Sequence, residues 1–286
     1  MATGTGTLFV VATPIGNLDD ISVRARAVLE AVDLIAAEDT RRTGRLLGSL
    51  GISSRMISCH EHNEQARLPE LMALLESGRD VALVSDAGTP LLSDPGFRLV
   101  SEAAVCGYTI TPIPGCSAAV AAASIAGLPT DSLLFLGFLP ATAVKRQRRL
   151  EGLSVRTETL VFYESVHRVK AVIDDMARLL GPDRRAVAAR ELTKLHETIY
   201  RGTLAELQAQ LAADPGANKG EYTLVIAGAP ALPDDSAEAL DRALQVLLGY
   251  LGVRQAAEAA AKILGVRKND AYKRALEMRE STDEQY

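Results

Sequence analysis

Between Val81 and Gly96 the chain reads VALVSDAGTPLLSDPG, a short continuous apolar run followed by two turn signals in quick succession. A run such as Val81–Ser85, bounded by turn residues and without alternation, suits a strand buried on both faces of a parallel sheet. Asp86-Ala87-Gly88-Thr89-Pro90 and Ser93-Asp94-Pro95-Gly96 then predict a compact loop at the carboxyl end of that strand. That edge is where open α/β sheets bind ligands. Without a ligand, the same residues would make a tight strand-to-helix connection.

The flanking chain repeats the arrangement. Leu8–Ala12, Leu34–Ala37, Met56–Ser58 and Thr109–Ile113 read as further strands, with helical spacing over Ser22–Val32, through Leu46, Leu47 and Leu50, and over Leu68–Ser77 and Phe97–Cys106. This alternation predicts a parallel sheet covered by helices. Pro112-Ile113-Pro114-Gly115 breaks it and marks a domain junction. Beyond the junction, strands over Leu133–Phe138, Thr159–Tyr163, Ala186–Ala189, Leu195–Tyr200 and Tyr222–Ala227 have less regular connections. With helices over Ser117–Ala126 and Leu204–Leu211 they predict a second α/β or α+β domain with a mixed sheet. The small side chains of Ser117–Ala126 suit either close approach of a ligand or tight helix packing. Ala229–Asp235 reads as a linker to a small helical tail, where Gln255–Leu264 and Asn269–Met278, joined across Gly265, form a helix-turn-helix-like pair.

Composition narrows the function. With 286 residues, 48% of them hydrophobic, the chain can build a substantial core. A formal net charge of −5 argues against a protein that coats nucleic acid without specificity, though not against local basic patches. Cys59, Cys106 and Cys116 show no C-x-x-C spacing, which fits a reducing cytosol and neither a disulfide scaffold nor a zinc ribbon. No basic segment precedes the short Leu8–Ala12 run, and no stretch approaches a membrane span. A soluble, cytoplasmic protein without a membrane partner is expected.

Polar residues cluster at the strand ends: Glu38–Arg42, Cys59–Glu64, Asp86–Pro90, Tyr163–Arg168 and Arg190–Glu197. All four histidines, His60, His62, His167 and His196, fall in these clusters, which in an α/β protein converge on a cleft. His60-x-His62 lacks the second half of a zinc motif, so no metal is expected. No strand is followed by G-x-G-x-x-G, and neither a P-loop lysine nor a G-x-S-x-G elbow is present.

One set of blocks goes further: VVATPIGNLDDIS, IAAEDTRRTGRLL, HEHNE, ALVSDAGTPLLSDPG, PIPGCSA, FLGFLP, VFYESVHR, ARELTKLHE and GEYTLVIAG. In this order, from about Leu8 to Gly228, they closely resemble the small-subunit ribosomal RNA methyltransferases of the tetrapyrrole methylase superfamily. The basic tail is similar to that family's C-terminal region. One position departs: Val166 stands where the family usually has proline.

The resemblance implies a two-domain α/β fold of the tetrapyrrole methylase type, with S-adenosylmethionine bound in the cleft between the domains, plus a small helical tail. The corresponding boundaries are residues 1–114, 115–230 and 236–286. It implies a homodimer and methyl transfer to the ribose 2′-hydroxyl of cytidine 1402 in 16S rRNA, with the 30S subunit or its rRNA as partner. Asp86, Ala87, Gly88, Thr89 and Pro90 would wrap the cofactor's methionine and ribose, with Pro14, Gly16 and Asn17 near the transfer site. Ser117, Ala118, Leu136, Gly137 and Phe138 would border its adenine. A sulfonium methyl is already activated, so alignment and a base for the hydroxyl proton would suffice. The base candidates are Glu164, His167, Glu191 and Glu197, with Lys194 eligible only if its pKa is depressed. Arg41, Arg42 and Arg168 could hold phosphates near the cleft. Lys145, Arg146, Arg148 and Arg149, with Arg267, Lys268, Lys273 and Arg274 in the tail, would supply RNA-binding charge. Each basic run reads equally as a solvated face, and Glu191 as a partner of Arg190 or Lys194. The alternatives are a methyltransferase of the same fold acting on a corrinoid or other small molecule, and a nucleic-acid-binding protein without catalysis.

Overall fold

The computed structural model describes residues 4–230 and 236–283. Contacts divide the chain into two units, Met1–Ala229 and Pro230–Tyr286. Of the predicted linker, residues 231–235 lie outside the described residues.

The first unit begins with β1 (Thr7–Val11), α1 (Val23–Ala31), β2 (Leu34–Ala37), α2 (Thr40–Leu50), β3 (Met56–Ser58), α3 (Glu64–Glu76), β4 (Val81–Val84), α4 (Phe97–Val105) and β5 (Thr109–Ile113). The strands form one sheet in the order β3-β2-β4-β1-β5. Every pairing in it is parallel. All residues of β2 and of β4 are buried, as the unbroken apolar runs require when helices cover both faces. On one face Leu8, Leu34, Ala36 and Leu83 pack with Leu71, Leu75 and Leu99. On the other, Val11, Ile35, Ala37 and Val84 pack with Leu29 and Leu47. Ser22 caps α1, its Oγ accepting from Ala25 N at 3.0 Å. The chain leaves β1 and β4 in opposite directions across the sheet, which makes their adjacent carboxyl ends a switch point.

The second sheet follows α5 (Ala118–Ala126) and comprises β6 (Leu133–Phe138), β7 (Thr159–Ser165), β8 (Arg185–Arg190), β9 (Thr198–Thr203) and β10 (Glu221–Ile226). Helices α6 (Ala143–Glu151), α7 (Val169–Leu180) and α8 (Leu204–Ala213) connect these strands. The order is β6-β7-β10-β8-β9. Only β6 and β7 are parallel; the other pairings are antiparallel, giving the mixed sheet expected. One face carries Leu160, Phe162, Val172, Met176, Leu204 and Leu224. The other packs Val161, Val187, Ala189 and Val225 on Ala122 and Ala126 of α5. The small residues of α5 thus serve helix-on-sheet packing over much of their length. Val166, at the family's proline position, packs against the first of these cores.

The strand expected over Leu195–Tyr200 begins only at Thr198. Residues 191–197 turn instead, because Lys194 N donates to Glu191 O, Glu197 N to Lys194 O, and the Glu197 carboxylate accepts from Thr193 N at 2.7 Å.

The second unit holds α9 (Ser236–Leu248), α10 (Val253–Leu264) and α11 (Lys268–Asp283). The last two match the predicted pair; α9 is additional. Leu240 and Leu244 pack on Ala256, Ala257, Ala260, Ala271 and Ala275, whose small side chains bring the helices close.

Candidate active site

In a parallel sheet all carboxyl ends share one edge, so the loops after β1, β2 and β4 meet. Thr13 and Gly88 exchange backbone hydrogen bonds across this edge, at 2.9 and 3.0 Å. Thr89 Oγ1 donates to Cys116 O at 3.0 Å, tying the loop to the start of α5. Gly88 has φ +83°, a conformation that costs an ordinary side chain energy. Gly16 lies so close to Thr193 and Lys194 that a side chain there would collide with both. The loop after β1 therefore braces the one after β8.

Between this edge and the second sheet lies a cleft of about 360 Å³. Of the predicted cofactor residues, Asp86, Ala87, Gly88, Thr89, Ala118 and Phe138 line it. Pro90, Ser117 and Gly137 adjoin these in the chain without lining it, and Pro14 and Gly16 flank Ile15, which does line it. Glu164, Glu191, Lys194 and Arg42 also line it, whereas His167, Glu197, Arg41 and Arg168 do not.

The wall built by the first sheet is acidic. Asp86 accepts from Asp39 N at 3.1 Å and pairs with Arg42 at 3.2 Å. Glu38 accepts from Asp86 N at 3.2 Å, and burial raises its pKa. Asp94 is half-buried, and burial pushes its carboxyl up to about 6, with Glu38 and Asp86 adding to the rise. In the sequence Asp94 is marked only as a turn residue.

Several expected roles change. The Glu164 side chain is 0% exposed; it accepts from Ser165 N at 2.8 Å and pairs with Arg168 at 3.2 Å. Burial still raises its pKa. Arg168 also donates to Leu139 O at 2.7 Å and Pro140 O at 3.2 Å, so it secures the chain after β6 and is not free for phosphate. Arg41 is held by Asp39 at 2.7 Å. His167 is exposed, and Glu197 is engaged in its own turn.

Lys194 does not fit a base. Burial alone would lower its pKa, but hydrogen bonds to Glu191 at 2.7 Å and Glu221 at 3.0 Å outweigh this and raise it. Glu191 shows the converse: burial acts to raise its pKa, and bonds from Lys194 and Glu221 N bring it below the ordinary value.

Arg146 is 7% exposed and pairs with Asp175 at 2.6 Å. It is part of the interior beneath α6, and only Lys145, Arg148 and Arg149 of that run reach solvent. In the second unit, Arg267 pairs with Asp270, Lys268 with Glu258, and Arg274 with Asp241 and Glu277; Lys273 is exposed.

The residues fit S-adenosylmethionine. Small residues, Ala87, Gly88, Ala118 and Ala189, open the cleft to a close-fitting ligand. Glu38, Asp86 and Asp94 on one wall complement a ligand with cationic sulfonium and ammonium groups.

Comparison with known proteins agrees with this geometry. Residues 7–208 match the family model described as Tetrapyrrole (Corrin/Porphyrin) Methylases. Residues 233–279 match that of the RsmI C-terminal HTH domain. The Pseudomonas aeruginosa protein named Ribosomal RNA small subunit methyltransferase I is 50% identical over 275 residues, covering 95% of this chain and 97% of the relative. Its namesake in Escherichia coli O157:H7 is 48% identical over 95% of both chains. Among solved structures, the uroporphyrin-III-C-methyltransferase of Thermus thermophilus superposes with a TM-score of 0.55 at 19% identity, over 78% of this chain and 94% of its own. The chain belongs to the tetrapyrrole (corrin/porphyrin) methylase family, and within it to the group of ribosomal RNA small subunit methyltransferase I.

Proposed function

We propose that this chain uses S-adenosylmethionine to methylate 16S rRNA of the small ribosomal subunit, at the ribose 2′-hydroxyl of cytidine 1402. The observation that carries the reading is near-full-length identity to relatives named for small-subunit rRNA methylation, spanning both the acid-walled cleft and the C-terminal helical unit. A corrinoid methylase of the same fold is the less favoured reading, because the matched C-terminal unit belongs to the rRNA group's model.

The Asp86–Thr89 loop and Ala118 would hold S-adenosylmethionine, which would supply a methyl group already activated on sulfur. The protein's contribution is alignment and proton management. The loops braced by the Thr13–Gly88 and Thr89–Cys116 hydrogen bonds fix one wall of the cleft. Asp94 is our candidate proton acceptor: it lines the cleft next to Ser93, which abuts Gly137, and burial holds its carboxyl at about 6, more basic than an ordinary aspartate. Lys145, Arg148 and Arg149 hold RNA phosphates. Residues 1–114 and 115–230 act as the two halves of the catalytic body, and the enzyme works as a cytoplasmic homodimer.

The test is methyl transfer from labelled S-adenosylmethionine to 30S subunits that lack the modification. The reading expects label at cytidine 1402, in a ribose resistant to alkaline cleavage. Label on a base, or acceptance only of a corrinoid, would sink it.

A further inference from the structure

Strand β6 contains a bulge. Phe135 pairs with Val161, but Gly137, not Leu136, pairs with Phe162, and Phe138 pairs with Tyr163. Side chains alternate along a strand, so Phe135 and Phe138, three positions apart, would otherwise face opposite sides of the sheet. The extra residue puts both on the side of Tyr163. Their rings meet the Tyr163 ring edge to face, with centroids at 5.0 and 5.8 Å. Gly137 makes the bulge at φ +61°, and a Cβ there would lie 2.6 Å from Ser93 Oγ of the opposing loop.

This re-aimed ring is not buried. Phe138 lines the cleft and is 55% exposed, in a chain with five phenylalanines and no tryptophan. Two devices hold it in place. Tyr163 meets it edge to face while its own hydroxyl accepts from Ala119 N at 3.3 Å. Arg168 clamps the carbonyls of Leu139 and Pro140 just beyond it. The chain then enters α6, whose Lys145, Arg148 and Arg149 are exposed and, among the described residues, enter no ion pair. A braced, exposed aromatic ring followed by unpaired cations is the chemistry of single-stranded nucleic-acid binding: bases stack on the ring and phosphates meet the cations.

We infer that the Phe138 ring does not border the cofactor's adenine, as the resemblance implies, but is a stacking platform for an unpaired base of the RNA substrate at the mouth of the cleft. The inference rests on the rRNA reading and adds the side chain that presents the acceptor strand. The acid wall formed by Glu38, Asp86 and Asp94 suits the cationic cofactor, whereas Phe138 is open to solvent and leads to the cations of α6.

The experiment compares Phe138→Ala, Phe138→Leu and Phe138→Trp with wild type, by calorimetry with S-adenosylmethionine and by kcat/KM for 30S subunits. Phe138→Ala and Phe138→Leu should lower kcat/KM about tenfold or more, with cofactor Kd within about twofold of wild type. Phe138→Trp should retain activity. As the chain's sole tryptophan, its fluorescence should be quenched by a single-stranded oligoribonucleotide and not by S-adenosylmethionine alone. A matching loss of cofactor affinity would assign the ring to the cofactor's adenine and overturn the inference. Phe138→Leu or Phe138→Ala with full activity would also overturn it, leaving the rRNA reading intact. Wild-type protein inactive on 30S subunits would remove both.

Discussion

Thr13 and Gly88 are joined by a reciprocal pair of backbone hydrogen bonds, an isolated two-residue ladder between the loops after β1 and β4. It joins the two loops beside the cleft without any side chain and depends on Gly88 remaining at φ +83°. A Cβ at Gly88 would meet Ile15 Cγ2 at 3.4 Å and Cys116 O at 3.7 Å, so space is adequate and the backbone conformation carries the cost. Gly88→Ala should destabilise the protein by about 1 kcal/mol, measured by urea unfolding, and weaken S-adenosylmethionine binding. Gly88→Trp should abolish cofactor binding in calorimetry while the far-UV circular dichroism stays native.

Asp94 gives a pH signature. With Asp94 as the proposed base, which must be deprotonated to act, kcat/KM should rise with pH through about 6 and then level off. Asp94→Asn should lower kcat by about 10²-fold or more and flatten the profile. Stability has the opposite sign. A native carboxyl raised above its unfolded value binds more protons than the unfolded chain between about pH 4 and 6. The stabilisation is full below that window and is lost as pH rises through it. Unfolding midpoints of Asp94→Asn should be less pH-dependent over the same range.

The cations of α6 should separate by function. Arg146→Ala leaves Asp175 with Gln147 and the more exposed Arg178 as its remaining partners and should cost about 2 kcal/mol of stability in denaturant melts. Lys145→Ala, Arg148→Ala and Arg149→Ala should leave the melts unchanged, raise KM for 30S subunits, and make methylation less sensitive to salt. Equal behaviour of all four variants would contradict the assignment.

Removal of residues 236–286 should leave S-adenosylmethionine affinity as it is, because every residue lining the cleft lies in the first unit. Methylation of 30S subunits should fall strongly. Loss of cofactor affinity in the shortened chain, measured by calorimetry, would contradict this.

The sequence carried the first sheet well, because β2 and β4 are buried on both faces and betray it by unbroken apolar runs. The second sheet was legible as strands but not as an order. The position of β10 between β7 and β8 is a long-range pairing with no local mark. The turn at 191–197 was hidden because LHETIY has strand-like composition, while Glu191 and Thr193 take positive φ under tertiary constraint. Asp94 was visible as a turn residue, but its burial against Glu38 and Asp86 joins loops far apart in the chain. The burial of Arg146 does have a local mark. Arg146 precedes buried Leu150 by four residues and so shares the inward face of α6.

The central place of β10 sets an order of events during synthesis. Glu221, Tyr222 and Thr223 line the cleft, and the strand that carries them bridges β7 and β8, which do not pair with each other. Until residue 226 has left the ribosome, the second sheet is two unconnected fragments with an open apolar gap. The first sheet, complete by Ile113, can fold while its neighbour still waits. A nascent chain therefore completes its cleft late, and premature termination before β10 leaves the first sheet facing an unfinished wall.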